Sequence, residues 1–468
     1  MEKQRELKRS LSPLNVWALA FGCIIGWGAF VMPGNTFLLK AGPLGTAIAM
    51  GCAVIIMFLI AVNYSYMINR FPVAGGEFTF SSKSFGRVHG FICAWFLCIS
   101  YLSIVPLNAT ALALLSRSLL SSVFQFGFHY TVAGYDIYLG ELLLAVASLA
   151  IFAWLNIRGA KMAGAFQTLL AMLLVLGVAV VAIAALLSPA ASADHLRPGF
   201  VPDRSPLVCV LSVLAVVPWA FVGFDTVPQA IEESDFSPVK TRLILFVSIL
   251  FGAAVYVVNN TVTAAVVPDG YTNWYAYISD LDRLSGLPSL PTFHAAYQLL
   301  GSAGLTFLGL AVLAAILSGI IGFYMATSRL LYSMAKEKVL PRWFAALHPV
   351  YRTPANAILF VLVVSLVAPF FGRTALNWVV DMSSTGAAVG YGYTSAAALK
   401  LALAEKRPSM VACGLLGLLF SIVFCVLLLV PLPMFDCSLS RESYICLIIW
   451  VFLGSVFYLT AGRSGSKV

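Results

Sequence analysis

The sequence predicts an all-α integral membrane protein, and three observations support that fold class. Hydrophobic residues make up 61% of the 468 residues and charged residues only 10%, compared with about 25% charged in soluble domains. The apolar residues form runs of about 20, the length that an α-helix needs to cross the hydrocarbon core of a bilayer. Gly and Pro clusters separate these runs. A soluble core of buried helices is a poor explanation for so much apolar sequence.

Twelve transmembrane helices are expected, and the third and eighth exceed the membrane thickness, so they should tilt or project. The predicted spans are 15–40, 44–70, 86–120, 138–157, 161–187, 206–232, 241–267, 293–335, 354–371, 374–400, 408–431 and 441–462. The expected organisation is an N-terminal tail (1–14), a first repeat (15–187), a second repeat (206–400), two further helices (408–462) and a C-terminal tail (463–468).

The net charge of +9 is explained by topology. With twelve spans and the basic N-terminus inside, 21 of the 28 Lys and Arg residues fall on the cytoplasmic side, as the positive-inside rule requires. Both termini are therefore expected in the cytoplasm, with the protein in the inner (plasma) membrane and lipid as its surroundings. No basic patch interleaved with aromatics indicates a nucleic-acid partner.

Cysteines and catalytic motifs give no sign of an enzyme or of a metal site. Eight of the nine cysteines fall inside predicted spans, and Cys437 is expected alone in an outer loop, where it cannot form a disulfide within the chain. The sequence contains no HExxH, GxxxxGK[ST] or GxSxG motif. We therefore expect no enzyme activity and no cofactor, with Na⁺ or H⁺ as a possible coupling ion. The basic N-terminus predicts a retained tail and not a signal peptide.

Two predicted helices carry residues that interrupt regular hydrogen bonding. The first contains Gly26, Trp27 and Gly28, and the sixth contains Gly223 between two prolines. They are the first helices of two successive groups of five spans. This placement is expected of an inverted repeat with a substrate site between its halves. Close helix packing is the simpler explanation for either helix alone.

The broken ends predict the chemistry of the ligand. Exposed N–H groups attract a carboxylate and exposed C=O groups attract an ammonium, so a zwitterionic amino acid suits both ends and other amines suit one. Asp225, an ionisable residue within a predicted span, is a candidate for binding substrate amine or a coupling cation. Capping of the lower half of its helix is an equal alternative. Aromatic residues are expected to form the walls: Trp27, Tyr101, Trp219, Phe221, Phe224, Phe323 and Tyr324.

Four stretches, taken in order, resemble the amino acid, polyamine and organocation (APC) transporter superfamily, bacterial amino acid permeases in particular. They are GWGAFVMP (26–33), FPVAGGEFTFSSKSF (71–85), FVGFDTVPQAIEE (221–233) and SRLLYSMAKEKVLP (328–341). The resemblance implies a LeuT-type 5+5 inverted repeat plus two C-terminal helices, working by alternating access.

The resemblance also implies roles for individual residues. Substrate carboxylate would be received by backbone amides of Ile25, Gly26, Trp27 and Gly28, and ammonium by carbonyls from Phe221 to Phe224. Ser100, Tyr101, Phe323 and Ser383 would line the side-chain pocket. Glu232 and Glu233 would belong to an inner gate, pairing with a nearby Arg or Lys, although solvated loop charges are an equal alternative.

Two positions depart from the family pattern. Trp27 stands where relatives carry a small residue, which leaves the size of the substrate open. Leu174 stands where several relatives carry a lysine that resembles a fixed coupling cation, so Na⁺, H⁺, exchange and uniport all remain open. The outer loop after the third span lacks the Cys that would bond a glycoprotein heavy chain. We expect no such partner, and a monomer or a homodimer.

The expected function is secondary active transport, as permease or exchanger, of amino acids bound at unwound helices 1 and 6. The alternatives are an amine or polyamine transporter on the same fold, or a ligand-gated channel or sensor.

Overall fold

The computed structural model describes residues 7–120, 122–132, 135–372, 374–432 and 438–464, and the fold is built almost entirely of α-helices. Cys437 and the outermost residues of both predicted tails lie outside these ranges. Eight helical stretches are long and apolar enough to span a membrane, and two shorter apolar helical stretches, Pro13–Ile24 and Ala355–Phe371, accompany them. The chain is thus a multi-pass helical protein, as the run lengths predict. The count of twelve spans stays a prediction.

The N-terminal half contains seven helices and a hairpin. In chain order the helices are α1 (Pro13–Ile24), α2 (Gly28–Met32), α3 (Leu38–Arg70), α4 (Gly76–Phe85), α5 (Arg87–Leu120), α6 (Leu139–Arg158) and α7 (Ala160–Leu187). Helix α1 begins where Ser12 accepts the amide of Asn15 in a reciprocal capping box. The antiparallel hairpin β1 (His129–Val132) and β2 (Tyr135–Tyr138) precedes α6.

The C-terminal half contains eleven further helices, several of them very short. They are α8 (Pro206–Leu214), α9 (Val217–Phe221), α10 (Val227–Ala230), α11 (Thr241–Ala265), α12 (Trp274–Ser279), α13 (Pro291–Leu300), α14 (Ser302–Lys336), α15 (Ala355–Ser365), α16 (Thr374–Ala404), α17 (Pro408–Leu429) and α18 (Arg441–Ser464).

Three features differ from the sequence-based expectation. The predicted eighth span is two helices, α13 and α14, because Gly301 adopts φ 60° and turns the chain between them. The predicted loop after the second span contains α4, entered through Gly75 at φ 90°. The hairpin in the predicted outer loop was not expected, because its strands are too short and polar to produce a pattern.

The long helices α5 and α14 form the centre of the molecule. Most side chains of α14 are buried, and among them Arg329 is fully enclosed. Helix α5 packs against α14 and α16, while α7 packs against α14 and α1. In contrast, α17 and α18 carry rows of exposed Leu, Ile and Val, the outward face expected where lipid is the solvent. The two interrupted segments lie against this core.

Candidate substrate site

The first interruption lies between α1 and α2. Ile25 is extended (φ −96°, ψ 90°), and its amide donates to the Phe21 carbonyl at 3.0 Å, closing the last turn of α1. The amides of Gly26, Trp27 and Gly28 donate no hydrogen bond to any described residue. Three N–H groups are therefore available at the start of α2. The Ile25 amide already has an acceptor, so its expected contact with a substrate carboxylate would require that hydrogen bond to break.

The second interruption follows α9. Val222 is extended (ψ 124°) and Gly223 has φ 135°, after which a single 3₁₀ turn leads into α10. Within the described chain the carbonyls of Phe221 and Val222 accept no hydrogen bond. The Gly223 carbonyl is already occupied by the amide and the hydroxyl of Thr226, at 3.0 and 2.6 Å, and the Phe224 carbonyl accepts the amide of Val227. Two carbonyls are thus available, fewer than the four that the resemblance implied.

The two interruptions touch each other. A Cβ atom placed on Gly223 would lie 2.4 Å from the amide nitrogen of Ile24 and 2.5 Å from the carbonyl carbon of Cys23. A Cβ on Gly28 would lie 2.1 Å from the ring of Trp219, just before the second interruption. Side chains are excluded at both contacts, so the end of α1 packs against Gly223 and the start of α2 packs against Trp219.

Helix α11 holds both ends of the first interruption in place. The Asn259 amide donates to the Ala29 carbonyl at 2.9 Å, and the Tyr256 hydroxyl approaches the Ile24 carbonyl at 3.5 Å. Carbonyls freed by the unwinding are thereby satisfied by side chains, as a low-dielectric surrounding requires. The interruption is therefore a fixed feature of the fold.

Asp225 is fully buried and stabilises the second interruption from within. Its Oδ1 accepts the amide of Gly223 at 2.7 Å, and its own carbonyl accepts the Tyr101 hydroxyl at 2.8 Å. Oδ2 has no hydrogen-bond partner among the described residues. The alternative of capping the lower half of the helix is not observed, because the carboxylate accepts an amide two residues upstream instead. One carboxylate oxygen is left for a ligand.

The aromatic walls are only partly those expected. The rings of Tyr101 and Phe323 lie 5.7 Å apart beside Asp225. Tyr64 and Tyr391, which sequence reasoning missed, pack on Phe224 at 5.2 and 5.3 Å. Nothing in their local sequence distinguishes them from ordinary core tyrosines.

Of two further expected wall residues, Tyr324 points away from Asp225, whereas Trp27 lies in the first interruption, where it was expected. The Tyr324 hydroxyl donates to the Leu149 carbonyl of α6 at 3.2 Å, so its polar end points away from Asp225. Trp27 keeps partial exposure, as does Gly26, in the first interruption itself.

Ser100 and Ser383 lie together but are engaged with each other. The Ser100 hydroxyl donates to the Ser383 carbonyl at 2.9 Å and lies 3.4 Å from the Ser383 hydroxyl. Gly386 allows this close approach of α5 and α16, because a Cβ there would meet the Phe96 carbonyl at 2.2 Å. Both serines are fully buried. They can line a pocket only if the two helices separate.

Glu233 belongs to a buried ion pair. The Arg329 guanidinium donates to both of its carboxylate oxygens, at 2.6 and 3.2 Å, and both side chains are at most 2% exposed. The Glu233 carbonyl also accepts the amides of Ser10 and Leu11 at 2.7 and 3.0 Å. The N-terminal segment is therefore joined to the end of the second interrupted helix.

Glu232 bonds to a loop and not to a cation. Its Oε2 accepts the amide of Ala74 at 2.9 Å, and the Ala74 carbonyl accepts the Ser333 hydroxyl at 3.0 Å. We call residues 7–11, 74–75, 232–234 and 329–333 the latch. Through it, the N-terminal segment, the loop before α4, the end of the sixth predicted span and α14 are joined by hydrogen bonds.

A second buried carboxylate was missed by sequence reasoning. Glu77, at the start of α4, is fully buried, and its Oε2 accepts the Gln229 amide at 2.7 Å. Its Oε1 has no partner among the described residues. The signal was present, since Glu77 lies within the quoted stretch 71–85, but nothing in the sequence showed that α4 would fold inward.

Comparison with known proteins agrees with this architecture. A match to the family described as amino acid permease covers residues 11–453. The chain is 25% identical to the branched-chain amino acid permease BcaP of Bacillus subtilis, over 99% of this chain and 95% of that protein. It is 24% identical to the methylthioribose transporter of the same organism, with the same coverage.

A third relative is the low-affinity putrescine importer PlaP of Escherichia coli, 23% identical over 86% of this chain and 83% of that protein. The family match extends over nearly the whole described fold, including both interruptions and all of the latch except residues 7–10. Its members among these relatives carry small solutes across membranes. The chain belongs to the amino acid permease family of the APC superfamily.

Proposed function

We propose that this protein is a secondary active transporter of amino acids that binds its substrate between the two interruptions. The observations that carry the proposal are the two contacts between the interruptions, Gly223 with the end of α1 and Gly28 with Trp219, together with the free amides and free carbonyls that the interruptions contain. The amides of Gly26, Trp27 and Gly28 would receive the carboxylate, and the carbonyls of Phe221 and Val222 the ammonium.

Transport would proceed by alternating access on a 5+5 inverted repeat, with spans 1–5 (15–187) and 6–10 (206–400) as the two halves. The latch would be the closed gate on one side of the site. The basic residues near it favour the cytoplasmic side, with both termini in the cytoplasm. Opening would require the Glu233–Arg329 pair to separate or to move as a unit.

An amine substrate is the second candidate, favoured by one observation. Oδ2 of Asp225 is buried and unpartnered in the described chain, and a buried carboxylate without a partner is costly. A cationic amine would supply the missing charge. The putrescine importer among the relatives is consistent with this candidate.

The test is counterflow in proteoliposomes made with the purified full-length protein. Labelled L-leucine, L-valine, L-arginine and putrescine are offered outside vesicles loaded with the same unlabelled solute. Saturable counterflow of an amino acid supports the leading proposal, and counterflow of putrescine alone supports the second. Large, unsaturable flux would indicate a channel, and no flux of any of the four would contradict both candidates.

A further inference from the structure

Two buried acids, Glu77 and Asp225, have no described basic side chain bonded to either. Glu77 and Asp225 interact electrostatically with each other, and Glu77 also with Tyr64. Among the described residues neither takes part in an ion pair. The Arg329 guanidinium is held by both oxygens of Glu233. Two uncompensated charges in such an interior would be very costly, so at least one must be neutralised.

The groups that face Glu77 do not supply a cation. They are Tyr64 of α3, Cys93 and Tyr101 of α5, Gln229 of α10, Asp225 of the preceding 3₁₀ turn and Tyr391 of α16. Helix α14 also packs on α4, and its buried cation Arg329 is bonded to Glu233. On α4 itself, Lys83 is exposed. Leu174, where related transporters carry a lysine, is a fully buried apolar residue here.

A proton fits the site better than a metal ion. Ca²⁺ and Mg²⁺ bind six or more oxygens, whereas Gln229 already occupies Oε2 of Glu77 and Gly223 occupies Oδ1 of Asp225. No group of three or more His, Cys, Asp or Glu suited to a metal occurs in the part of the chain that the structure describes. A single proton bound to the free Oε1 makes the Glu77 carboxylate neutral.

We propose that the Glu77 carboxyl is a proton-binding site that couples proton movement to the opening of the latch, a proposal that rests on the transport function proposed above. The carboxylate accepts one proton on Oε1 to become a neutral acid, and returns it when the site faces the other compartment. No other atom changes its bonding.

The position of Glu77 connects its charge to the latch through α10. Gln229 lies on α10, between Asp225 and the latch residues 232–234. A Cβ on Gly76 would lie 2.6 Å from Pro228, so the start of α4 is pressed against α10. Loss of the proton would place a charge in this tight contact. We infer that the charged form favours separation of α4 from α10, and the neutral form the closed contact.

The first test needs no substrate. Infrared difference spectra of the full-length protein, recorded between acid and alkaline pH in H₂O and D₂O, detect the C=O stretch of a protonated buried carboxyl. The expected result is a deuterium-sensitive band that persists at neutral pH, vanishes in Glu77→Gln and remains in Asp225→Asn. In Gln229→Leu the band should shift, because Oε2 loses its donor, without disappearing.

Glu405→Gln is the matched control. Glu405 accepts the hydroxyl of Tyr66 of α3 at 2.8 Å, but unlike Glu77 it is partly exposed and has Arg407 beside it. The band should therefore be unchanged in this variant. A wild-type spectrum without the band, a band that survives Glu77→Gln, or a band that responds to sodium and not to pH would overturn the proposal.

The second test measures coupling, with L-leucine and putrescine as the probes. Because Gln stands for the neutral form, which favours the closed contact, Glu77→Gln should exchange solute more slowly than the wild type at equal pH on both sides and should lose the extra accumulation that a pH gradient drives in the wild type. Gradient-driven accumulation equal to that of the wild type would overturn the proposal. If neither probe is carried by the wild type, the proposed function fails, while the spectra still decide the protonation of Glu77.

Discussion

Gly223 lies against Ile24 so closely that a Cβ atom on the glycine would stand 2.4 Å from the Ile24 amide nitrogen. This contact joins the unwound parts of two helices that are about 200 residues apart in the sequence. It requires both a residue without a side chain and a backbone at φ 135°, and glycine alone meets the two conditions readily. The proposed substrate site depends on this contact.

Gly223→Ala should abolish transport and reduce stability. The added methyl group clashes with backbone atoms, and the left-handed φ adds strain of about 1–3 kcal/mol. Thermal unfolding and counterflow of the solute identified in the screen measure the two effects. Gly51→Ala is the control, because Gly51 has open space around it and an ordinary φ. A functional Gly223→Ala protein would show that the contact is not needed.

Asp225→Asn should remove transport while leaving the fold nearly as stable as the wild type. The asparagine oxygen can still accept the Gly223 amide, so only the charge is lost. Asp225→Ala also leaves that amide without its acceptor, which costs about 1–3 kcal/mol. Comparison of the two melting temperatures with the two transport rates separates the roles. Normal transport by Asp225→Asn would show that Asp225 has only a structural role, as an acceptor for the Gly223 amide.

Breaking the Glu233–Arg329 pair should be strongly destabilising. Arg329→Met leaves a buried carboxylate alone, and loss of one partner of a buried pair costs about 3–5 kcal/mol. The double variant Arg329→Met with Glu233→Gln should recover much of that loss. The exposed pair Arg283–Asp280 is the control, where Arg283→Met should change stability by less than about 1 kcal/mol. Equal effects at the two pairs would contradict the burial argument.

Trp27→Ser should broaden the accepted solutes toward bulkier ones. Trp27 is partly exposed in the first interruption, beside the amides proposed to bind the carboxylate. Competition of unlabelled amino acids of increasing size against the labelled substrate gives the profile. Trp154→Ser, at an exposed tryptophan of α6, should leave the profile unchanged. An unaltered profile in Trp27→Ser would show that the indole does not border the substrate.

The features that could be predicted from the sequence are those set by interactions between residues close together in the chain. The runs of apolar residues and the Gly and Pro clusters act through nearest neighbours, so the long helices and both interruptions are visible in the sequence, and the family is confirmed. The sequence predicts no helix boundary at Gly301, because a single glycine inside an apolar run is common in membrane helices. The two helices on either side of it, α13 and α14, were therefore predicted as one span.

Features that depend on distant packing could not be predicted. Glu77 is buried because α4 turns inward against α10, and Tyr64 and Tyr391 meet Phe224 only once α3 and α16 converge on it. Arg329 was part of a recognised stretch, but its partner Glu233 lies 96 residues away. Such pairings need the tertiary structure, because no short-range pattern encodes them.

The most direct test of the proposed binding mode is a cryo-EM structure of the protein with the solute that shows counterflow. The account predicts a carboxylate within hydrogen-bonding distance of the Gly26, Trp27 and Gly28 amides, and an amine beside the Phe221 and Val222 carbonyls. An amine-only solute should occupy the carbonyl side and Oδ2 of Asp225. Solute density away from both interruptions, or an unbroken helix through either of them, would contradict it.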